Sequence, residues 1–441
     1  LISESSTYEF VSVLFESERT GVTAEFRNLV TDLDVYEHMD KPYLTAQLLM
    51  LDNEDILDEA DILGGERITI SIQSQREDTE PFTMKFYILK VLNTEKVNDN
   101  VQTIALSLIE DIGYISNLQN VNQYYSGNLT QIVKDIATQY LEKEVVGNDA
   151  KQNVHLIVPN LSPLEAIKWV TNRATDERGY PFYTYSTMVK EKLYMKCLGD
   201  LLAEPVMNTD VPYRNSTLAA QATNADVRRR TIISHKFNGE MENLFDVIRR
   251  GVIGARYNYL NTLYSSGSED FHFDIVKDLF RQLIDDGVLQ QNQPNYEFSE
   301  RYEYDGQSFN EFDSRNITQI RSSGAYRTSE GDDYNLSYGE CREPSDYKLE
   351  IIARAMNVMM KRHSMTMVID GLDFIDGDMH KTIGNSLRVE FGTSNPDRDP
   401  SDRTIDAKKS GDYLIYSTRH MFKKEKYEVV LTCMKIGNYR R

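Results

Sequence analysis

"SGDYLIYSTRHMFKKEKYEVVLTCMKIG", residues 410–437, alternates along its first half. Tyr413, Ile415, Ser417 and Arg419 fall on one face of an extended chain, and Leu414, Tyr416, Thr418 and His420 on the other, because successive strand side chains point to opposite faces. Both faces are partly apolar, which suits a barrel wall. "FKKEK" is a polar turn, and "YEVVLTCMK" is rich in the β-branched and aromatic residues that favour a returning strand. The stretch therefore predicts a hairpin. His420, beside Arg419 and near the turn, reads as a surface or pairing residue. No serine or cysteine nucleophile stands at a recognisable motif spacing from it.

Outward from the hairpin, the chain is 441 residues long and divides into several units on the prior of roughly 100–200 residues per domain. It carries 69 acidic against 49 basic residues, a net charge of -20. That balance lacks the basic footprint of a general nucleic-acid binder and repels anionic membrane. Cys197, Cys341 and Cys433 are too dispersed for a zinc motif or a disulfide framework and read as reduced, buried thiols. "LISESSTYEF" has no basic segment leading into an apolar core, and no apolar run approaches the ~20 residues that span a bilayer. The expectation is a soluble protein made in a cytoplasm, with no membrane anchoring. The 27 tyrosines and 17 phenylalanines, against one tryptophan, fit β-rich cores and wet interfaces.

The fold class expected is α+β, predominantly antiparallel β, with two tube-like β-barrels, a small α+β module and an inserted irregular region. Residues 1–110 read as strand after strand, from "YEFVSVLFES" through "YLTAQLLMLD", "ERITISIQSQ" and "FTMKFYILKVL" to "VQTIALSLI", a first barrel. Residues 111–205 form the α+β module. In it "NLTQIVKDIATQYLEKE" keeps helical spacing at Leu129, Ile132, Val133, Ile136, Tyr140 and Leu141. "SPLEAIKWVTNRATDERG" opens with Ser162 as N-cap, Pro163 in the first turn and Glu165 closing a capping box, and predicts a helix ending near Gly179. Trp169 on that helix reads as a core anchor. "PFYTYST" and "KLYMKCLG" predict a hairpin.

Residues 206–264 are a polar connector and the first part of a second barrel, in which His235 reads as a strand residue. Residues 265–345 are polar and studded with Tyr and Phe beyond one amphipathic helix, an inserted interaction region. Residues 346–441 supply a helix, "DYKLEIIARAMNVMMKRHS", and the remainder of the second barrel. Aromatics in a polar, loop-rich segment anchor interfaces, and exposed arginines pair with acidic partners. The candidate partner-interface residues are therefore Arg228, Arg229, Arg230, Tyr302, Tyr304 and Phe309.

Two acidic stretches invite a metal reading. Asp52, Glu54, Asp55, Asp58, Glu59, Asp61 and Glu66 lack the alternate spacing and sixth-position glycine of an EF-hand. Asp370, Asp373, Asp376, Asp378 and His380 lie among glycines that mark turns. Neither stretch is assigned a metal, and no cofactor is expected.

The order barrel, small module, second barrel split by an insertion resembles the central baseplate hub protein of contractile-tailed bacteriophages, of the T-even-like and cyanophage-like group. More distantly it is similar to the hub half of VgrG spike proteins. "YLTAQLLMLDNEDILDEADILGGERITISI", "LIVPNLSPLEAIKWVTNRATDERGYPFYTY", and "GLDFIDGD" followed by the terminal hairpin carry the resemblance. The resemblance implies a structural baseplate hub: three chains in a pseudo-sixfold ring that joins a hexameric tail tube to a trimeric central spike around the ejection channel. It implies a homotrimer whose partners are the central spike, tail tube or tube-initiator proteins, the tape-measure protein and baseplate wedge components, with DNA only in transit. The place implied is the tail baseplate of a virion, after assembly in the host bacterial cytoplasm. No catalytic residue is carried over. The rival reading is a tail-associated cell-wall hydrolase, a glycosidase or peptidase. No carboxylate pair stands in a diagnostic motif, and the seven histidines show no H-E-x-x-H spacing.

Overall fold

In a computed structural model of the chain, the described residues are 8–52, 60–74, 81–98, 101–188, 190–215, 230–238, 255–260, 268–273, 303–308, 316–320, 344–362, 364–371, 382–393, 405–406, 409–423 and 426–436, with single positions between them. The chain is α+β and mostly antiparallel β.

Its first strands are β1 (Tyr8–Glu16), β2 (Thr23–Glu25), β3 (Val30–His38), β4 (Thr45–Asp52), β5 (Arg67–Ser74), β6 (Phe82–Asn98) and β7 (Val101–Glu110). They pair in the order β3–β4–β7–β6–β5–β1–β2. Strict alternation builds them: Ile68, Ile70 and Ile72 on β5, and Leu106 and Leu108 on β7, are fully buried between half-exposed neighbours. Each such side chain stabilises the fold by about 1.5–3 kcal/mol on leaving water. Phe15 and Phe26 stack at 4.9 Å inside the curl. The Phe26 N–H donates to the Val13 carbonyl at 2.8 Å and the Leu51 N–H to the Leu29 carbonyl at 2.8 Å, which ties the turn after β2 to strands on both sides.

Next come α1 (Asp111–Ser116), β8 (Tyr124–Asn128), α2 (Leu129–Leu141), β9 (Val145–Gly147), β10 (Asn153–Ile157), α3 (Pro163–Thr171), β11 (Phe182–Thr187), β12 (Lys190–Cys197) and α4 (Leu198–Ala203). β8 and β10 form one small sheet, and β11, β12 and β9 another. Helix α2 starts where expected, with the Asn128 side chain accepting the Thr130 N–H at 2.9 Å. The capping box of α3 is formed, Glu165 Oε2 taking the Ser162 N–H at 3.2 Å and its hydroxyl at 2.9 Å. α3 ends at Thr171, short of the expected end near Gly179. The residues after it turn back on themselves, with the Ala174 N–H donating to the Thr171 carbonyl and the Gly179 N–H to that of Asp176. Trp169 is half-buried, with the Arg173 guanidinium 3.7 Å above its ring.

The remaining elements are β13 (Tyr213–Asn215), β14 (Thr231–Ile232), β15 (Ser234–Asn238), β16 (Ala255–Leu260), β17 (Ser268–Phe273), β18 (Glu303–Tyr304), β19 (Gln307–Ser308), β20 (Asn316–Ile320), α5 (Pro344–Arg362), β21 (Ser364–Asp370), β22 (Ser386–Glu390), β23 (Gly411–Lys423) and β24 (Lys426–Lys435). Residues 265–345, expected to be irregular, contribute β17 to β20, and β20 pairs in parallel with β16, which precedes them in sequence. β18 and β19 meet across Asp305 and Gly306, both at positive φ (50° and 77°), the conformation of a two-residue hairpin turn.

β23 and β24 are the expected hairpin, with a bulge between Ile415 and Ser417. β23 pairs with β22 through Leu414 and with β3 from Ser417 onward. That second pairing joins early and late strands into one 14-stranded sheet. Within it, β15–β21–β24–β23–β3–β4–β7–β6 is a continuous antiparallel wall.

Candidate interface

The wall has two unlike faces, and β3 and β23 show how. Along β3, Leu33, Val35 and Glu37 point into the protein; along β23, Thr418, His420 and Phe422 do the same. His420 is fully buried, a pairing residue and not a surface one, the two readings its place near the turn allowed. Its Nε2 lies 3.1 Å from Glu37 Oε2 and 3.1 Å from Thr418 Oγ1; its Nδ1 lies 2.7 Å from the Tyr427 hydroxyl. Glu37 also accepts the Thr418 hydroxyl at 2.7 Å and the Met188 N–H, from the turn after β11, at 2.6 Å. Burial alone would raise the Glu37 carboxyl. Attraction to the His420 imidazole and hydrogen bonds from His420, Met188 and Thr418 outweigh it and leave the group below its ordinary value. Burial pushes the Tyr427 phenol well up.

This cluster ties β3, the β11–β12 turn and the terminal hairpin together in the buried interior. A second contact sits beside it. Asp40 accepts the Tyr416 hydroxyl and pairs with Lys361 of α5 at 3.1 Å, while the Tyr183 hydroxyl of β11 donates to Asn357 of α5. The two contacts fix helix and small sheet against the inner face.

On the outer face most side chains are half-exposed or exposed, while Asp34, taken as a whole residue, is 8% exposed. The register sets Lys236, Thr366, Thr432 and Ser417 in one row, and Asp34, Gln47, Ser107 and Lys90 in another. Arg419 reaches Asp34 at 2.6 Å and lies 5.7 Å over the Tyr36 ring. Acids and bases interleave across this face; Asp32, Asp34, Glu95, Asp370 and Glu428 share it with Lys90, Lys236, Arg419 and Lys423.

The wall also has two free ends. Beyond Ile88, no strand among the described residues pairs with the outer edge of β6, and Leu89, Val91 and Leu92 stand 49%, 37% and 43% exposed. At the opposite end β15 pairs only with β21 among described strands, and Ile233 and Phe237 are 53% and 37% exposed. Open edges with apolar side chains are adhesive.

Of the interface candidates, Arg228, Arg229, Tyr302 and Phe309 lie outside the described residues. Arg230 precedes β14; its Nη1 donates to the Val211 carbonyl at 3.1 Å, and its own carbonyl accepts the Arg214 N–H at 3.0 Å. Tyr304, at the β18–β19 turn, is 70% exposed. Arg230 and Tyr304 thus lie on different elements from the β6 edge, to which no sequence motif points. Of the acidic stretches, Glu54, Asp55, Asp58, Glu59, Asp373, Asp376, Asp378 and His380 lie outside the described residues. Glu66 caps a turn by accepting the Leu63 and Gly64 N–H groups at 3.0 and 2.8 Å, and Asp61 pairs with Arg19 at 2.8 Å. Among the described residues no three His, Cys, Asp or Glu side chains are grouped to hold a metal ion. Cys197 and Cys433 are buried and unbridged, and burial raises both thiols, Cys197 to about 12. Cys341 lies outside the described residues. Among described helices none is long and apolar enough to cross a membrane.

No family model and no curated protein matches the chain. Solved structures do. The tail protein of Neisseria meningitidis MC58 superposes with a TM-score of 0.53 at 12% identity, over 98% of both chains. The 43 kDa tail protein of prophage MuSo2 from Shewanella oneidensis gives 0.53 at 10% identity, over 96% of this chain and 98% of the other. The chain thus has, over nearly its whole length, the fold of these tail proteins.

Proposed function

We propose that the chain is the structural baseplate hub of a contractile phage tail. Three copies form a pseudo-sixfold ring that joins a hexameric tail tube to a trimeric central spike and encloses the ejection channel. The wall β15–β21–β24–β23–β3–β4–β7–β6 carries this reading, because it is a double-length antiparallel sheet in a chain with the fold of tail proteins. Divided as 1–110, 111–205, 206–264, 265–345 and 346–441, the chain contributes two barrel units to the ring, so three copies offer six to a sixfold tube. The inner face is closed by the buried junction and α5. The outer, half-exposed face then lines the channel, and its interleaved charges suit a passage for tape-measure protein and DNA: phosphates find no continuous basic stripe to grip.

In this reading Arg228, Arg229, Arg230, Tyr302, Tyr304 and Phe309 meet neighbouring baseplate components, spike or wedge, in the virion, after assembly in the host cytoplasm. Native mass spectrometry at micromolar concentration is the test. A closed trimer is expected; a monomer, alone and with its spike, defeats the reading. Labelled duplex DNA is expected to show no retention at physiological salt, and binding that survives ~0.2 M salt would mark a recognition surface instead.

A further inference from the structure

The wall is built twice. Read in one direction, β3, β4, β7 and β6 are hydrogen-bonded neighbours; β15, β21, β24 and β23 repeat that arrangement before them. The register equates the two runs residue by residue. In the first, Asp34 faces Gln47, Gln47 faces Ser107 and Ser107 faces Lys90. In the second, Lys236 faces Thr366, Thr366 faces Thr432 and Thr432 faces Ser417. Thus β6 is the counterpart of β23, and β15 of β3.

The first of the three register shifts of β6 has its counterpart in the one shift of β23; the other two, between Val91 and Asn93 and between Lys96 and Asn98, have none. β6 is bulged against β7 between Ile88 and Lys90, and β23 against β24 between Ile415 and Ser417. Before the bulge each strand pairs with an outer neighbour, β6 with β5 through Tyr87 and β23 with β22 through Leu414, and Tyr87 and Leu414 are themselves equivalent in register. After the bulge the two part company. β23 runs on beside β3, with Arg419 facing Tyr36 and Met421 facing Asp34. β6 runs on with exposed apolar residues and no described strand beside it, and β15, the counterpart of β3, pairs with no described strand on its outer edge.

We infer that β6 of one copy pairs with β15 of the next, in the register that joins β23 to β3 within the chain. The inference rests on the ring proposed above and names its seam. Residue equivalence sets the contacts: Asn93 takes the place of Arg419 and Asn238 that of Tyr36, so these asparagines oppose one another. Glu95 takes the place of Met421 and Lys236 that of Asp34, so a carboxylate meets an ammonium. Strand direction agrees, because the wall alternates and its two ends run antiparallel, so a head-to-tail joint continues the pattern. Such a heterologous contact makes a ring when its rotation closes. If the intermolecular seam repeats the in-chain one, three copies close on alternating seams of both kinds. In that register the exposed Phe237 faces Thr94, near the exposed Leu92 of β6.

A disulfide tests the register. Residues directly opposite in an antiparallel pair have Cα atoms ~4.5–5.5 Å apart, inside the roughly 4.4–6.8 Å span of a disulfide. The double variant Glu95→Cys, Lys236→Cys, in a Cys341→Ser background, is expected to give a covalent trimer on non-reducing gels after mild oxidation. Either cysteine alone gives none, and Glu95→Cys with Ser234→Cys, two residues out of register, gives little. A trimer in native mass spectrometry that fails to link through Glu95→Cys, Lys236→Cys overturns the seam and leaves the hub reading standing. A wild-type monomer, alone and with its spike, overturns both.

Discussion

Glu37 and Asp34 lie on one strand, and each meets a basic side chain from β23, His420 and Arg419, which are neighbours in sequence. The alternation of a strand sends the first pair inward and the second outward. Inside, both side chains are fully buried and each is held by further donors or acceptors; outside, the Arg419 side chain is 40% exposed and Asp34 11%. The same type of contact has different consequences on the two faces. A fully buried charge with its partner removed is strongly destabilising, whereas a pair with one member in water is worth less, because water screens it and solvates the exposed ion. The inner pair therefore enforces one arrangement of β3, β23 and the β11–β12 turn, and the outer pair trims the surface.

The largest expected effect is at Glu37. Glu37→Ala strands the Met188 N–H and the Thr418 and His420 donors in a dry site, and is expected to lower unfolding stability by about 3–5 kcal/mol, read by denaturant titration. Replacing both members, Glu37→Met with His420→Leu, is expected to recover part of that loss, since matched apolar side chains fill the space without an unpaired charge. A loss equal to the sum of the two single losses would break the claim that the pair acts as a unit. Proton linkage gives an independent reading. The folded Glu37 carboxyl lies below its ordinary value, so its contribution is present above the unfolded carboxylate pKa of about 4.3 and is lost as pH falls through the lower folded value. The wild type is expected to lose stability more steeply below about pH 4 than the double variant; parallel curves would remove Glu37 from the acid transition.

Gly371 offers a smaller perturbation of the same face. A Cβ there would lie 2.1 Å from the Tyr427 ring, whose hydroxyl is 2.7 Å from His420. Gly371→Ala must displace the ring or the turn, and a loss of about 1–3 kcal/mol is expected from overpacking. If the ring moves, the His420 ring resonances shift with it; an unchanged imidazole spectrum would show that the turn yields instead.

Much of this was legible in the sequence, and the omissions have physical causes. The terminal hairpin, five of the early strands, α2 and the capping box of α3 follow from local periodicity and end chemistry, which neighbouring residues determine. β3 was not read as a strand. "VTDLDVYEH" interleaves Asp32, Asp34 and Glu37 with its apolar residues, and the partners of Asp34 and Glu37, which are Arg419, Thr418 and His420 of β23, are far away in sequence. The apolar beat of Leu33 and Val35 was the available signal. The doubled wall is faint in residue identity: Leu106 matches Leu431 and Ile88 matches Ile415, but none of Asp34, Gln47, Ser107 and Lys90 matches its own counterpart among Lys236, Thr366, Thr432 and Ser417. What repeats is register and the position of a bulge, which are properties of pairing.

The smallest expected effect, on the outer face, is the sharpest control. Arg419 Nη2 meets one oxygen of Asp34, while Arg419 Nε and Asp34 Oδ1 take no hydrogen bond among the described residues, so the contact is a single one and not a bidentate fork. The hydrogen bond to Asp34 raises the guanidinium's pKa further, which keeps it charged at any working pH and leaves ionic strength as the useful variable. Arg419→Met keeps the aliphatic stem over Tyr36 and removes the charge. The Asp34 side chain, only 11% exposed, loses its partner while Arg419 is half in water, so a loss of about 1 kcal/mol is expected, and it should shrink as salt shortens the Debye length from about 10 Å at 0.1 M towards 3 Å at 1 M. A loss as large as that of Glu37→Ala, or one indifferent to salt, would mean that the outer face is as desolvated as the inner one, and the contrast between the two faces of β23 would fail.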